Sequence, residues 1–139
     1  MSERPTDVAV GSQFDADQTP YKAIGGETGV QALVDAFYDQ MDTSEDARVI
    51  RAMHDDLSRS REKLFWFLCG WLGGPQHYVE RFGHPRLRMR HAPFAIDQSA
   101  RDAWMGCMHR AMDERSIEGP LRAFLDARFE HLATFMINR

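Results

Sequence analysis

One histidine in this sequence lies in a setting that suits a metal-bound cofactor. His91 ends a strongly basic run within the stretch GHPRLRMRHAPFAI, residues 83–96, and Pro85 and Pro93 flank that run. Proline is favoured in the first turn of a helix, and the residue before a proline is disfavoured in helical geometry. We therefore expect a helix of about two turns between the prolines, which is too short to persist alone in water.

The charges of this short helix indicate the kind of ligand that could hold it. Arg86, Arg88 and Arg90 suit carboxylates, and the imidazole of His91 can bind a metal. A haem group combines carboxylates at its edge with an iron that a single axial imidazole commonly holds. The apolar helices of the chain also supply aromatic surface for a large flat guest. A lone histidine beside a proline is nevertheless more often structural than a ligand.

The composition is that of one globular domain. With 139 residues, 43% of them hydrophobic, the chain can bury one substantial core. Its net charge of −4 gives no reason to expect nucleic acid, and no apolar run approaches a membrane span of about 18 residues. The N-terminus has no apolar secretion signal, and Cys69 and Cys107 lie in apolar helical patterns. We therefore expect a protein of the reduced cytoplasm, although the sequence leaves a disulfide between these cysteines open.

Hydrophobic periodicity predicts an all-α fold with no strand and no repeat. Residues 1–19 are polar without periodicity, so we expect a flexible leader there and the globular domain at 20–139. Helix starts are predicted at Pro20, Thr28, Ser44, Ser58, Asp97 and Gly119-Pro120. On the last helix the apolar pattern predicts six side chains that face the core, namely Leu121, Phe124, Leu125, Leu132, Phe135 and Met136.

Other kinds of catalytic or metal site have no support in the sequence. The two cysteines are far apart and the six histidines show no paired spacing, which argues against structural zinc. No Gly-x-Ser-x-Gly turn and no Gly-Lys-Ser sequence occurs, which argues against a serine hydrolase and a phosphate-binding loop. His91 with its arginines remains the one candidate.

A series of separated motifs identifies a known family. In chain order they are TPYKAIGGETGV, AFYDQM, KLFWFLCGWLGGP, GHPRLRMRHAPFAI and ARDAWMGCM. The series closely resembles the group II truncated haemoglobins over residues 19–136. The resemblance implies that residues 20–139 form a truncated globin fold, a two-over-two helical sandwich around haem b. In that fold the helices near 28–42 and 58–72 form one pair, and those near 98–115 and 120–136 form the other.

The resemblance also assigns residues to the haem site. His91 matches the proximal iron ligand, and Arg90 matches a residue that contacts a haem propionate. Trp104 matches the distal tryptophan typical of group II, and Tyr38 matches a distal tyrosine. The further positions assigned to haem contact are Lys63, Leu64, Phe67 and Phe94. Those assigned to the bound ligand, besides Trp104 and Tyr38, are His54, Ser60 and Leu64.

The loop before the long apolar helix departs from the family pattern. The family commonly has a proline and one more residue between the pocket histidine and an Asp-Leu pair, whereas this chain reads HDDL from His54. The shortened loop leaves open whether His54 lines the pocket or lies in solvent. A lysine on a helix surface is usually solvated, so Lys63 carries the same alternative. Trp104 and Tyr38, each taken alone, could be ordinary core residues.

The resemblance implies a protein that reversibly binds O2, CO and NO at the haem iron. Donors from Trp104, Tyr38 and His54 would hold the ligand tightly, which suits chemistry or sensing better than delivery. The alternative is a haem enzyme with peroxidase-like or nitric oxide dioxygenase activity, served by an unidentified reductase. A third hypothesis is a helical interaction module without a cofactor. The sequence is compatible with a monomer or a homodimer.

Overall fold

The computed structural model describes residues 14, 15 and 17–139, and the regular structure within them is entirely helical. The α-helices are α1 (Pro20–Ile24), α2 (Gly26–Thr43), α3 (Arg48–Ala52), α4 (Leu57–Trp71), α5 (His77–Phe82), α6 (Leu87–His91), α7 (Gln98–Glu114) and α8 (Gly119–Phe135), with a 3-10 turn at Glu45–Ala47. The all-α prediction is confirmed. None of these helices combines the length and the apolar character that crossing a membrane requires.

The predicted leader falls mostly on residues 1–13 and 16, which lie outside the described residues. The division into a leader and a globin domain therefore stays a prediction. Of the leader residues that are described, Phe14 packs its ring 4.9 Å from the ring of Phe124 on α8.

The four long helices form two packed pairs. Helix α2 contacts α4, and α7 contacts α8, while α2 and α7 pack against each other and join the pairs. Apolar side chains recur on the facing surfaces at helical spacing, as the sequence predicts. The fully buried side chains of these surfaces include Val30, Leu33, Phe37, Met41, Leu68, Met108, Met112, Leu125 and Phe129. Because burying one such side chain contributes about 1.5–3 kcal/mol, this shared core is the main support of the fold.

Two glycines allow α1 to dock against the end of α4. Gly73 has φ +95°, a left-handed conformation that favours glycine. The backbone N–H of Tyr21 donates to the carbonyl of Leu72 at 2.9 Å, which brings the tyrosine ring over the turn. A Cβ atom on Gly74 would lie 2.6 Å from that ring. The close approach explains why the chain needs glycine here.

Two predicted helix starts are wrong by one or two residues. Helix α2 begins before Thr28, because Gly25, with φ 107°, supplies the N-cap. Helix α4 begins before Ser58, because the carboxylate of Asp56 accepts a hydrogen bond from the Ser58 backbone N–H at 2.9 Å. Asp97 caps α7 as predicted.

The prediction for the inward face of α8 is wrong at one position. Phe135 is 52% exposed, whereas Phe129, which the prediction omitted, is completely buried. The buried residues Leu125, Phe129 and Ala133 follow one another at intervals of one helical turn. Phe135 lies at the end of the helix, where the Arg88 guanidinium stacks 5.4 Å from its ring.

Replacing Gly74 by alanine should lower the free energy of unfolding by about 1–3 kcal/mol, the usual cost of overpacking. The added Cβ would collide with the Tyr21 ring, which backbone hydrogen bonding holds in place. Gly106→Ala is the matched control, because its Cβ meets only the end of the flexible Arg110 side chain at 3.4 Å. Urea denaturation should show Gly106→Ala at or above the parent stability. A Gly74→Ala protein as stable as the control would contradict this explanation.

Candidate functional site

The short basic helix, α6, begins later than the flanking proline predicts. Arg86 adopts φ 47° and ψ 55°, a left-handed conformation that cannot form part of a right-handed helix, so the helix begins after it. The start predicted at Pro85 is therefore wrong, and the expected two turns are reduced to 5 residues. The Arg90 side chain donates from Nε to the Pro85 carbonyl at 2.9 Å and so links the end of the helix to the residues before its start.

The other end of α6 also departs from expectation. Ala92 precedes Pro93 and yet keeps right-handed helical geometry, with φ −55° and ψ −34°. The prediction that Pro93 forces the residue before it out of helical geometry is therefore wrong. The helix itself ends at His91. The backbone N–H of Phe94 donates to the His91 carbonyl at 3.0 Å and closes a turn around the two intervening residues.

The His91 imidazole has one nitrogen engaged and one available. Its Nδ1 lies 2.8 Å from the carbonyl oxygen of Leu87. A carbonyl can only accept, so Nδ1 carries the proton and Nε2 keeps its lone pair. Burial lowers the pKa of His91 below its ordinary value, which keeps the ring neutral at pH 7. A neutral imidazole with a free Nε2 is the form that binds a metal.

His91 does not belong to a cluster of metal ligands. In the part of the chain that the structure describes, no group of three His, Cys, Asp or Glu side chains could hold a metal ion. A single imidazole holds iron when a porphyrin supplies the other ligands. The surroundings of His91 are compatible with such a flat apolar guest, since the half-exposed Phe94 ring lies 6.5 Å away.

The arginines beside His91 differ in their partners. Arg88 donates from Nη1 to the Phe135 carbonyl at 2.6 Å, so it ties α6 to the end of α8. The anion-binding role predicted for Arg88 therefore lacks support. Arg90 uses only Nε for its bond to Pro85, which leaves its terminal nitrogens exposed among the described residues. Arg90 is thus the cation next to His91 that can meet a carboxylate.

Helix α4 carries four of the predicted site residues, Ser60, Lys63, Leu64 and Phe67, all of them half-buried. The Lys63 ammonium lies 5.5 Å from the centre of the Phe82 ring, so its charged end lies beside α5. The Phe67 ring stacks on Trp71 at 5.9 Å. These side chains present one apolar helical surface with a cation at its edge.

Tyr38 and His54 come together on the other side of the core. Their rings meet edge to face at 6.0 Å, and Tyr38 is buried while His54 is half-buried. His54 is held by its Nδ1, which lies 2.8 Å from the Ile50 carbonyl. The solvated-loop alternative for His54 is therefore not the observed arrangement. Burial raises the pKa of Tyr38 far above its usual value, so its phenol stays protonated.

Trp104 is packed between two phenylalanine rings. Its ring lies 5.1 Å from Phe37 and 5.8 Å from Phe129. Phe37 in turn contacts Tyr38 at 4.9 Å, which connects the two predicted distal residues through one aromatic cluster. The sequence prediction missed Phe129, although its position one turn after Leu125 was a usable signal.

A second missed residue, Arg61, holds α4 to α2 beside Tyr38. Its guanidinium pairs with Asp35 at 3.1 Å and with Asp39 at 2.8 Å. It also lies 5.8 Å from the centre of the Tyr38 ring. Such an ion pair between helices cannot be read from the sequence, because exposed acids and arginines are common on every helix.

His54 and His91 interact electrostatically. After burial, the charge of His54 is a further cause that lowers the pKa of His91. The imidazole on α6 and the imidazole beside Tyr38 therefore lie near enough to affect each other.

The cysteines play no part in this chemistry. Cys69 and Cys107 are both buried and free, so the disulfide that the sequence left open is absent. Burial raises the pKa of the Cys69 thiol to about 11 and also raises that of Cys107. Both remain protonated at neutral pH and pack as small apolar side chains.

Comparison with known proteins decides the family. The family described as bacterial-like globin matches residues 19–138. The chain belongs to this globin family. The globin is 42% identical over 130 residues to group 2 truncated hemoglobin YjbI of Bacillus subtilis (strain 168), covering 94% of each chain. The resemblance to the group II truncated haemoglobins is confirmed.

Solved structures agree with this membership. The cold-adapted truncated hemoglobin of the Antarctic bacterium Pseudoalteromonas haloplanktis TAC125 superposes with a TM-score of 0.84 at 48% identity, over 87% of this chain and 98% of that one. The truncated oxygen-avid haemoglobin of Bacillus subtilis superposes at 0.79 with 42% identity, over 86% and 99%. The two-over-two fold class is therefore confirmed. Family membership implies a haem group and, in general, haem-based oxygen binding.

Replacing Phe129 by alanine should remove the support beneath Trp104 and destabilise the globin by about 3–5 kcal/mol. The reason is that Phe129 is completely buried and packs against both Trp104 and Trp71. Phe135→Ala makes the same change on the same helix at a half-exposed site, and should cost less than about 1 kcal/mol. Urea denaturation monitored by circular dichroism compares the two, and equal losses would contradict the assignment of Phe129 to the core.

Proposed function

We propose that this globin binds O2, CO and NO reversibly at a haem b iron, with His91 as the proximal ligand. The observation that carries the proposal is the 2.8 Å hydrogen bond from His91 Nδ1 to the Leu87 carbonyl. It fixes the tautomer and the ring orientation, and it leaves Nε2 as the ligand atom. Family membership independently supports haem-based oxygen binding.

Haem b, held without covalent attachment, is the form of the cofactor that the cysteines favour. Covalent attachment of a c-type haem uses a C-x-x-C-H sequence. The sequence has 2 cysteines, and neither belongs to such a motif. Both are also buried in helices α4 and α7.

The residues around the imidazole suit both the faces and the edge of a porphyrin. We assign the apolar faces to Leu64, Phe67 and Phe94, which are only partly covered by protein. We assign the propionates to Arg90, whose terminal nitrogens are exposed, and to Lys63, whose ammonium lies beside the Phe82 ring. Charge-assisted hydrogen bonds to carboxylates are stronger than neutral ones, so both cations would add to haem retention.

The distal donors that we propose are Trp104 and Tyr38. The indole N–H can only donate, and the phenol of Tyr38 stays protonated because its burial raises its pKa. His54 has a different role, because its Nδ1 donates to the Ile50 carbonyl, 2.8 Å away. His54 therefore borders the ligand together with Ser60 and Leu64.

Ligand retention follows from these donors. Haem iron, when bound, supplies one open coordination position for a diatomic ligand. A hydrogen bond to a charged acceptor contributes about 1.5–3 kcal/mol, so two of them would slow ligand release about a hundredfold or more. A relative that is described as oxygen-avid supports this expectation of tight binding.

The cellular setting is part of the proposal. Two buried, free thiols suit a reducing cytoplasm. There an unidentified reductase would keep the iron ferrous, and the globin would act as a monomer or a homodimer.

Replacing His91 by alanine should abolish stable haem binding, because the variant lacks the imidazole that is proposed to hold the iron. Haem titration followed by absorption in the Soret region measures the loss, and added imidazole should restore part of the band by occupying the vacated space. His131→Ala, at an exposed position on α8, is the control and should bind haem like the parent. Haem binding by His91→Ala with parent affinity and spectrum would contradict the proposed ligand.

Removing either proposed donor should quicken oxygen release by about tenfold or more, since each lost hydrogen bond is worth at least about 1.4 kcal/mol. The variants are Trp104→Phe and Tyr38→Phe, measured by stopped-flow displacement of oxygen with CO. Trp66→Phe is the matched control, because this tryptophan packs under Arg81 on another face of α4. Unchanged release in both donor variants would contradict the distal assignment. Rapid turnover of nitric oxide or peroxide by the parent would instead favour the enzymatic alternative.

A further inference from the structure

The loop that follows His91 is held by a residue beyond the last helix. The side-chain Nδ2 of Asn138 donates to the carbonyls of Phe94 at 3.0 Å and of His91 at 3.3 Å. Its Oδ1 accepts from the backbone N–H of Ile96 at 2.9 Å. The backbone N–H of Asn138 donates to the Ile96 carbonyl at 2.8 Å. One residue thus binds both ends of the segment 91–96.

This segment depends on such hydrogen bonds because, of residues 91–96, only Ile96 packs against the core. None of the side chains of α6 is buried, and Phe94 is 38% exposed. A 5-residue helix without a buried face cannot hold its own geometry in water. Arg88 adds a second polar tie, from α6 to the Phe135 carbonyl, and it too reaches the end of α8. Hydrogen bonds to the end of α8 and to Asn138 therefore hold α6 and its loop in place of apolar packing.

Asn138 completes the fixation of His91. The His91 imidazole donates from Nδ1 to the Leu87 carbonyl, and the backbone carbonyl of His91 accepts from Asn138. Hydrogen bonds thus restrain both the ring and the backbone of His91. We propose that Asn138 is a positioning residue, which fixes the loop after α6 and so sets the orientation of His91 toward the haem iron. The inference rests on the proposed function, because it takes His91 as the iron ligand.

The amide of Asn138 suits this role better than other side chains. It offers donors and an acceptor on one short planar group, and all three of its contacts are to backbone atoms of one loop. Asn138→Asp keeps an acceptor for the Ile96 N–H but loses both donors and sets a carboxylate against two carbonyl oxygens. Asn138→Ala loses all three contacts. Both variants therefore lose the side-chain donor to the His91 and Phe94 carbonyls, while both keep the backbone hydrogen bond.

Two measurements on the haem-loaded chain test the inference. The first is the rate of haem transfer to excess haem-free myoglobin, and the second is the iron–histidine stretching band of the ferrous form in resonance Raman spectra. Both Asn138→Ala and Asn138→Asp should lose haem about tenfold faster, with a shifted or broadened band. Arg139→Ala is the control, because among the described residues the Arg139 side chain bonds only to the Asn138 carbonyl, at 3.4 Å, and its backbone bond to Ile96 is kept.

The outcomes separate positioning from mere stabilisation. A faster haem loss with a changed band in both Asn138 variants, and neither in Arg139→Ala, supports the positioning role. Parent-like haem loss and band overturn it. Faster haem loss with an unchanged band and a lower thermal unfolding midpoint would make Asn138 only a stabiliser of the fold, which also overturns it. If the parent itself shows no iron–histidine band, the proposed function fails first and the inference falls with it.

Discussion

The hydrogen bond between His91 Nδ1 and the Leu87 carbonyl is the interaction on which the site depends. It is a bond of 2.8 Å within one short helix, and it decides which nitrogen of the imidazole faces outward. Burial lowers the pKa of the same ring, so the outward nitrogen keeps its lone pair at neutral pH. This bond therefore sets the geometry with which His91 would hold the haem iron.

Aromatic packing supports Trp104 and Tyr38, whereas hydrogen bonds hold the helix that carries His91. Trp104 and Tyr38 are set in an aromatic cluster whose centre, Phe37, is completely buried, so packing against that ring orients them. Helix α6 has no buried residue and is held by hydrogen bonds to α8 and to the residues after it. The proposed distal donors therefore depend on packing, whereas the proposed proximal ligand depends on a few hydrogen bonds of long sequence range.

Local signals in the sequence predicted most of the fold and indicated one candidate metal ligand. Periodicity located the long helices, Asp97 marked a cap, and a histidine between two prolines marked the candidate ligand. Contacts between distant positions were not predictable. Asn138 bonds to a carbonyl 47 positions away, and Arg61 pairs with an acid 26 positions away. The start and end of α6 also escaped prediction, because a left-handed Arg86 and the turn after His91 override what the prolines prefer.

Isotopic labelling tests the central bond between His91 and iron most directly. The ferrous, haem-loaded globin would be prepared with histidine carrying 15N at Nε2 alone and, separately, at Nδ1 alone, and its low-frequency resonance Raman spectrum recorded. We expect one iron–imidazole band that shifts to lower frequency with Nε2 labelling, moves far less with Nδ1 labelling, and is lost in His91→Ala, which keeps the other histidines labelled. A band that responds mainly to Nδ1, or that responds to neither label, would contradict His91 Nε2 as the atom that holds the iron.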